Sequence, residues 1–460
     1  MAISETVHDR QTTGRLPLIA VCLAYFMVIL DVTIVTVANP SIGAALHASV
    51  TSLQWVVDGY TMVFAGLLLI GGGLGDRYGG KRVFLIGLAV FALASVGCAL
   101  APAAGALVVA RLVQGAGAAL MVPTSLSLLQ ASYPDKASRA RAYGIWAAMG
   151  GVAAAAGPVL GGVLVAAVSW PAVFWVNVPI GLAALVMAAW SVPAPAARPS
   201  SDRLLPELLV QAIGIAGLVA LTAALNEAGS RGWAAPVVVG LLVAALGLMA
   251  AFVLSERKSR HPMVPPALFG RAEFSATAAV GVLINVGFYG LLFAAPLYFS
   301  RIFGYGPLLT GLAILPLSAI VAIASAVSGR LTARLGPRIP MLIGLPIGAA
   351  GVLGWLVAAA GTPYWLLVAP MVAAGFGISF TMPASTAAIM EAAPPDRAGV
   401  ASAVFNTGRQ VGTAVGVGIV GSFIVASDLI SGLHIGVILG ASCFLAATLV
   451  TFLFVRPPRT

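Results

Sequence analysis

The stretch Gly72-Gly73-Leu74-Gly75-Asp76-Arg77-Tyr78-Gly79-Gly80-Lys81 indicates how the fold is organised, because a diverged copy of it occurs later in the chain. The copy, Gly329-Arg330-Leu331-Thr332-Ala333-Arg334-Leu335-Gly336-Pro337-Arg338, lies 257 positions on. A second set of residues recurs 260 positions on: Gly115, Gly117, Pro123 and Pro134 return as Gly375, Gly377, Pro383 and Pro394. Two separated matches at nearly one spacing indicate two similar halves. In a membrane protein this architecture is typical of transporters whose halves move about a central site.

The composition identifies the chain as an integral membrane protein. It is 60% hydrophobic and 8% charged, with a mean hydropathy of +1.04, whereas soluble domains carry roughly 25% charged residues. The net charge of +10 comes from short basic clusters in predicted loops. Such clusters do not form the basic stripe with stacking aromatics that nucleic-acid binding requires, so no nucleic-acid partner is expected.

Polar and Gly/Pro breaks divide the chain into fourteen predicted membrane spans, since each spanning helix needs about 20 apolar residues. The first span follows a polar stretch with Arg10 and Arg15 and precedes no small-residue cleavage site, so it is expected to be retained. The predicted spans are 16–38, 52–71, 83–101, 105–129, 142–166, 172–191, 207–226, 235–254, 274–297, 307–328, 339–360, 364–390, 399–425 and 433–455.

The basic residues predict the orientation of these spans. Twenty of the 24 Lys and Arg residues fall on the side of the two termini, and only Arg231 and Arg301 fall on the other side. Cytoplasmic loops are the loops rich in Lys and Arg. The sequence therefore predicts a multi-pass protein of the cell membrane, inner or plasma, with both termini in the cytoplasm.

The repeat offset predicts the domain organisation. Six spans end near residue 191, so a plain duplication would repeat after about 200 residues, and the observed offset leaves roughly 60 residues over. We therefore predict an all-α fold with an N-terminal six-helix bundle at 1–192 and a C-terminal six-helix bundle at 271–460. A linker and two inserted helices occupy 193–270 between them.

Ionisable groups inside the membrane are costly and mark functional sites. Of the 14 acidic residues, only Asp31 and Asp58 lie clearly within spans, and Arg111 lies at a similar depth. Burial favours the neutral carboxyl group and a nearby guanidinium favours the charged one, so relative motion could load and release a proton. Alternatively, an Asp–Arg pair could simply hold the helices together, and Asp58 could be solvated; which carboxylate takes the proton is left open.

Few other residues suggest chemistry. Cys22, Cys98 and Cys443 lie inside spans, and the four His residues are scattered, so neither a disulfide framework nor a metal site is expected. The chain has no P-loop lysine motif and no nucleophile–base pattern. We therefore expect a protein that is not an enzyme and uses no cofactor other than a proton gradient.

Five segments together carry a family resemblance. They are Leu30-Asp31-Val32-Thr33-Ile34-Val35-Thr36-Val37-Ala38-Asn39-Pro40, the hairpin Gly72 to Lys81, Arg111-Leu112-Val113-Gln114-Gly115-Ala116-Gly117, Gly157-Pro158-Val159-Leu160-Gly161-Gly162, and Trp170-Pro171-Ala172-Val173-Phe174-Trp175-Val176-Asn177-Val178-Pro179. Over nearly its whole length the chain resembles the major facilitator superfamily, and specifically its fourteen-helix drug:proton antiporter branch. The resemblance implies two six-helix bundles with two inserted helices.

The resemblance also implies residues that control conformation. In the hairpin these are Asp76, Arg77 and Gly79, with Asp76 docking against the start of the thirteenth helix. In the fifth span, the glycines permit close helix approach and the proline removes a backbone donor. The resemblance implies a packed seam there that resists proton leak and marks export; its residues are Gly157, Pro158, Gly161 and Gly162.

The sequence predicts proton exchange for a small, lipophilic, drug-like molecule, carried out by a monomer among membrane lipids. The alternatives are a proton-coupled uptake symporter for a nutrient and a non-transporting sensor on a transporter scaffold. The charge of the transported molecule stays open. Arg409 is interpreted as structural, bracing Glu391 or Asp396. Candidates for lining a substrate cavity are Met27, Gln114, Met149, Asn285, Phe288 and Tyr289.

Overall fold

The computed structural model describes residues 15–133, 135–193, 204–259, 266–394 and 398–456, and these residues are helical without a strand. The helices are α1 (Arg15–Ala45), α2 (Val50–Tyr78), α3 (Gly80–Ala99), α4 (Ala104–Ser132), α5 (Lys136–Ala167), α6 (Ala172–Trp175), α7 (Asn177–Ser191), α8 (Leu204–Arg231), α9 (Pro236–Lys258), α10 (Pro266–Phe269), α11 (Ala272–Arg301), α12 (Pro307–Leu335), α13 (Arg338–Leu353), α14 (Tyr364–Ala392), α15 (Ala398–Ala426) and α16 (Leu429–Phe454).

The membrane-spanning character of the chain is confirmed. Thirteen candidate spans are long and apolar enough to cross a membrane, within the described ranges and with α6 and α7 taken together. α2 is not among the thirteen, but it has 29 residues and packs against both α4 and α15. The all-α membrane fold is therefore as predicted, and the arrangement is consistent with fourteen spans.

Two predicted spans are interrupted in the structure. The span predicted at 172–191 is split at Val176 into α6 and α7. Pro179 explains the break, because it has no backbone N–H to donate to the carbonyl of Trp175, one turn earlier. The span predicted at 339–360 ends as α13 followed by a 3₁₀ turn at Gly354–Val357.

Local chemistry fixes where several helices begin and end. Gly79 adopts φ 93° between α2 and α3, a conformation that favours glycine, so the chain can reverse there. Asp428 caps α16 by accepting hydrogen bonds from the backbone N–H groups of Ile430 and Ser431. Hydrogen bonds from Ser431 hold the pKa of this exposed carboxyl group below its ordinary value.

The helices pack in two groups, with α8 at their junction. α2 packs against α3 and α4, and α1 against α5 and α7; later in the chain, α11 packs against α15 and α16, and α13 against α14. α8 pairs with α9 and also contacts α2 and α15. Close approach is possible because Gly66 faces Ile215 of α8, and Gly229 of α8 faces the backbone of Ser422. The region predicted as inserted helices thus touches both groups.

Glycines let α5 pack closely on two neighbours. Gly157 and Gly161 lie against Thr33 and Ile34 of α1. On the far side, the helix meets α12, where a Cβ atom at Gly311 would lie 2.3 Å from the carbonyl oxygen of Pro158. A Cβ atom at Gly162 would lie 2.8 Å from the carbonyl oxygen of Pro307, at the start of α12. This α5–α12 seam therefore joins the N-terminal and C-terminal helices.

We expect Gly311→Val to destabilise the protein by about 1–3 kcal/mol, the usual cost of overpacking a close contact. The added side chain would meet backbone atoms of α5, so the helices must separate. Gly240→Val is the matched control, because no atom lies within 4 Å of a Cβ at that position of α9. Denaturant titration of the purified protein measures both; equal stabilities for the two variants would contradict the tight seam.

Candidate functional site

A buried polar network surrounds Asp31 in the middle of the N-terminal helices. Asp31 is 0% exposed and forms a salt bridge with Arg111 of α4, which is 1% exposed. The other carboxylate oxygen, Oδ1, accepts hydrogen bonds from Gln114 Nε2 at 2.9 Å and Asn177 Nδ2 at 2.8 Å. The polar partners of Asp31 thus come from two other helices, two from α4 and one from α7. Ser95 of α3 extends the network, because its hydroxyl group accepts a hydrogen bond from Gln114 at 2.9 Å.

Arg111 is held on every side. Its Nη1 donates to Gln114 Oε1 at 2.7 Å as well as to Asp31, and its Nε donates to the carbonyl of Val56 at 2.9 Å. The guanidinium also lies 4.2 Å from the ring centroid of Tyr60, a cation–π contact. A buried ion pair is stable only with such additional hydrogen bonds, because they compensate for the lost hydration. These hydrogen bonds therefore compensate for the burial of the Asp31–Arg111 ion pair.

Asp58 lies apart from this network. It is 0% exposed, and α2 turns its side chain away from Arg111 toward α8. There its Oδ2 accepts a hydrogen bond from Asn226 Nδ2 at 3.1 Å, while its Oδ1 has no partner. No described cation pairs with it: the ion pairs found among the described residues are Asp31–Arg111 and Glu227–Arg231. The two buried carboxylates thus occupy opposite electrostatic environments.

Most of the residues that were predicted to line a substrate cavity are instead buried in contacts between or within helices. Met27 is fully buried in the core of the N-terminal helices and touches Gly181, and Gln114 belongs to the Asp31 network. Asn285 donates to the carbonyl of Gly281 in its own helix at 2.7 Å. Phe288 is buried beside Tyr289, with ring centroids 5.4 Å apart. Met149 and Tyr289 keep part of their surface accessible.

The residues predicted in the hairpin lie at the end of α2. Arg77 lies over the ring of Tyr78, 5.5 Å from its centroid. The side chain of Asp76 lies outside the described part of the structure. A cleft of about 1380 Å³ opens near this side of the membrane among α11, α12, α14 and α16, remote from Asp31 and Asp58. The described residues contain no group of three or more His, Cys, Asp or Glu side chains placed to hold a metal ion.

The sequence pattern did not reveal the asparagine partners of the two carboxylates. Asn177 and Asn226 are each 0% exposed, although asparagine is costly in the membrane interior unless it is hydrogen-bonded. A search for uncharged polar residues in the predicted apolar spans would have found them. Their pairing with Asp31 and Asp58 depends on helix packing, which the sequence pattern does not specify.

The comparisons with known proteins establish the family. The family model of the Major Facilitator Superfamily matches residues 21–417, and the chain belongs to this superfamily. It is 37% identical over 412 residues to a methylenomycin A resistance protein of Streptomyces coelicolor, covering 90% of this chain and 86% of that protein. A methylenomycin A resistance protein of Bacillus subtilis is 36% identical over 449 residues, covering 97% and 96%. The multidrug resistance protein Stp of Mycobacterium tuberculosis is 36% identical over 415 residues, covering 90% and 76%.

Solved structures agree on the fold. A POT family transporter, crystallised with a thioalcohol-conjugated peptide, superposes with a TM-score of 0.71 at 14% identity, covering 95% of each chain. The nucleoside transporter NupG gives a TM-score of 0.66 at 12% identity, covering 96% of this chain and 100% of its own. At such low identity the likeness concerns the fold alone.

Proposed function

We propose that this protein exports a small lipophilic, antibiotic-like molecule in exchange for protons. Its relatives at 36–37% identity are named as antibiotic and multidrug resistance proteins, which supports export rather than uptake or sensing. The helices of 1–192 and 271–460 form the two bundles that alternate access to the substrate. The protein lies in the cell membrane with both termini in the cytoplasm, as the distribution of basic residues supports.

The observation that carries the proposal is the isolated burial of Asp58. A buried carboxylate without a cation is costly when ionised, so it takes up a proton when the site is dry and gives it up when water or a cation reaches it. Asp31 already has a cation and two amide donors, which stabilise its ionised form in place. We therefore assign the transported proton to Asp58, and we assign to Asp31 the task of holding Arg111.

The described conformation is closed on the side opposite the termini, as the inward-facing state of the proposed cycle requires. On the side opposite the termini, Gln54 of α2 donates to the carbonyls of Val417 and Gly418 of α15, at 3.4 Å and 3.0 Å. The α5–α12 seam closes the same side. In the cycle, substrate enters from the cytoplasm, these contacts open, substrate leaves, and Asp58 takes up a proton before the carrier returns.

The energy available to such a cycle is sufficient for resistance. Moving one charge across the membrane yields about 2.3 kcal/mol per 100 mV. One net proton at ~150 mV would sustain a gradient of roughly a few hundredfold, since each 1.4 kcal/mol corresponds to tenfold.

Proton release in inverted, energised vesicles tests the proposal. The vesicles contain the full-length protein and a fluorescent pH indicator, and receive a panel of lipophilic cations, neutral antibiotics and lipophilic acids. We expect at least one compound to release protons, whereas vesicles without the protein should show no response. No release with any compound would contradict proton-coupled export and leave the fold unaffected.

Asn226 should also matter, because it is the hydrogen-bond donor to Asp58. Hydrogen bonds to charged groups contribute about 1.5–3 kcal/mol, so Asn226→Leu is expected to slow substrate-driven proton release by about tenfold or more. Thr222→Val is the control, since Thr222 is buried one turn earlier on α8 and the Asp58 carboxylate accepts its hydrogen bond from Asn226. Equal slowing in both variants would mean that Asn226 acts only through helix packing.

A further inference from the structure

A second polar site lies between the N-terminal and C-terminal helices. It consists of Tyr25 of α1, Trp146 of α5, Tyr289 of α11 and Arg409 of α15, hereafter the donor cluster. Tyr25 stacks on Trp146 with ring centroids 3.7 Å apart. α1 packs against α5 and α11, and α11 packs against α15, so the four helices adjoin one another. The charge of Arg409 acts on both Tyr25 and Tyr289.

The cluster lies deep in the membrane and next to accessible space. Tyr25, Trp146 and Arg409 each follow the start of their helix by ten or eleven residues. Their helices all begin on the membrane side of the two chain termini, so all three residues lie about 15 Å along their helices from that side. All four side chains are surrounded by helices, yet each keeps part of its surface accessible. Each side chain therefore keeps some surface that a small molecule can reach.

The donor cluster has more hydrogen-bond donors than acceptors. Arg409 Nε and Trp146 Nε1 are buried without a partner. The guanidinium makes one hydrogen bond, a 3.3 Å contact from Nη1 to Asn406 Oδ1 on its own helix. Burying a guanidinium and an indole N–H without acceptors costs free energy, so this surplus favours a ligand that brings acceptor oxygens.

No carboxylate of the described chain fills this role. Glu391 lies exposed near the end of α14 and forms no ion pair with Arg409, contrary to the bracing interpretation, and Asp396 lies outside the described residues. Asp31 and Asp58 are buried among other partners. The positive charge of Arg409 is therefore available to a bound molecule.

We propose that the donor cluster binds the carboxylate group of the exported molecule, so that lipophilic acids are preferred over cations. Arg409 supplies a fork of N–H donors that matches a carboxylate, Trp146 adds a third donor, and the Tyr25–Trp146 stack contacts the apolar body. This inference rests on the proposed export function, whose substrate class it specifies.

Probes that share one apolar body and differ only in the head group test this inference with the full-length protein in lipid nanodiscs. The probes are 4-biphenylcarboxylate, 4-biphenylcarboxamide and 4-biphenylmethylammonium, and isothermal titration calorimetry measures their affinities. We expect wild-type protein to bind the carboxylate about tenfold or more tightly than the amide, and the ammonium more weakly still. Equal affinities, or no binding of the carboxylate, would overturn the proposal.

Variants then assign the preference to Arg409. Arg409→Gln should abolish the preference for the carboxylate, and Arg409→Lys should retain part of it, because lysine keeps the charge but lacks the fork. Arg301→Gln, at an exposed position, should leave it unchanged. Trp146→Phe removes one donor while keeping the stack, so it tests the cluster even if the Arg409 variants do not fold. An unchanged preference in Trp146→Phe and Arg409→Gln would exclude the cluster.

The outcomes separate this inference from the export proposal. If neutral or cationic compounds release protons from vesicles while carboxylates neither bind nor act, only the substrate class is wrong. If the carboxylate binds through Arg409 but no compound releases protons, the binding site stands and proton-coupled export fails.

Discussion

Arg111→Met is expected to lower the free energy of unfolding by about 3–5 kcal/mol, the cost of removing one partner from a buried ion pair. The variant leaves Asp31 fully buried with only the amides of Gln114 and Asn177 to stabilise its charge. It also removes the hydrogen bond to the carbonyl of Val56, which links α4 to α2. Chemical denaturation of the purified protein, followed by intrinsic fluorescence, measures the loss.

Arg231→Met provides the matched control for this prediction. Arg231 pairs with Glu227 at 2.7 Å one turn away on α8, and its side chain is 58% exposed. Exposed pairs of this kind contribute about 0.3–0.5 kcal/mol, so the same substitution should have little effect there. The double variant Asp31→Asn/Arg111→Met should recover part of the stability by removing the unpaired charge. Similar losses at Arg111 and Arg231 would contradict the structural role of the network.

The fold was predictable because a membrane restricts the possible structures so strongly. Apolar runs separated by polar breaks must become spanning helices, and the repeat of Gly72–Lys81 at Gly329–Arg338 indicated how they are grouped. The ends of the helices were less predictable, since helices such as α1 and α2 continue beyond their apolar runs, to Ala45 and Tyr78. A helix needs no apolar residues once it leaves the bilayer.

The candidate site was only partly predictable. The sequence placed Asp31 and Arg111 at one depth with opposite charges, and the structure brings them together. It also placed Asp58 at that depth, but position along a helix does not determine the direction of a side chain relative to neighbours far away in sequence. Asp58 instead faces Asn226, and the charge of Arg409 acts on Tyr25, which lies 384 positions earlier in the chain. Such pairings arise from helix packing.

Asp58→Asn is expected to reduce proton-driven export to the level of vesicles without the protein. Asparagine keeps the size of the side chain and can still pair with Asn226, but it cannot take up and release a proton. Exchange of labelled for unlabelled substrate, which needs no net proton movement, should continue in the variant. Measuring both activities in the same vesicles therefore separates loss of coupling from loss of folding.

Glu227→Gln is the control for Asp58→Asn. Glu227 is the residue after Asn226 on α8, and its side chain is 28% exposed and paired with Arg231, so its neutralisation should leave proton-driven export unchanged. If Asp58→Asn retained proton-driven export, the transported proton would have to be assigned elsewhere, with Asp31 the first alternative.

Counting the protons released when substrate binds to the purified protein tests directly whether Asp58 carries the transported proton. The measurement uses weakly buffered solution containing a pH indicator. The ligand is the compound that gives the largest response in the vesicle assay. We expect about one proton released per substrate bound by the wild type and none by Asp58→Asn, because Asp58 is the group that changes protonation. Release that is unchanged in Asp58→Asn would show that another group carries the transported proton.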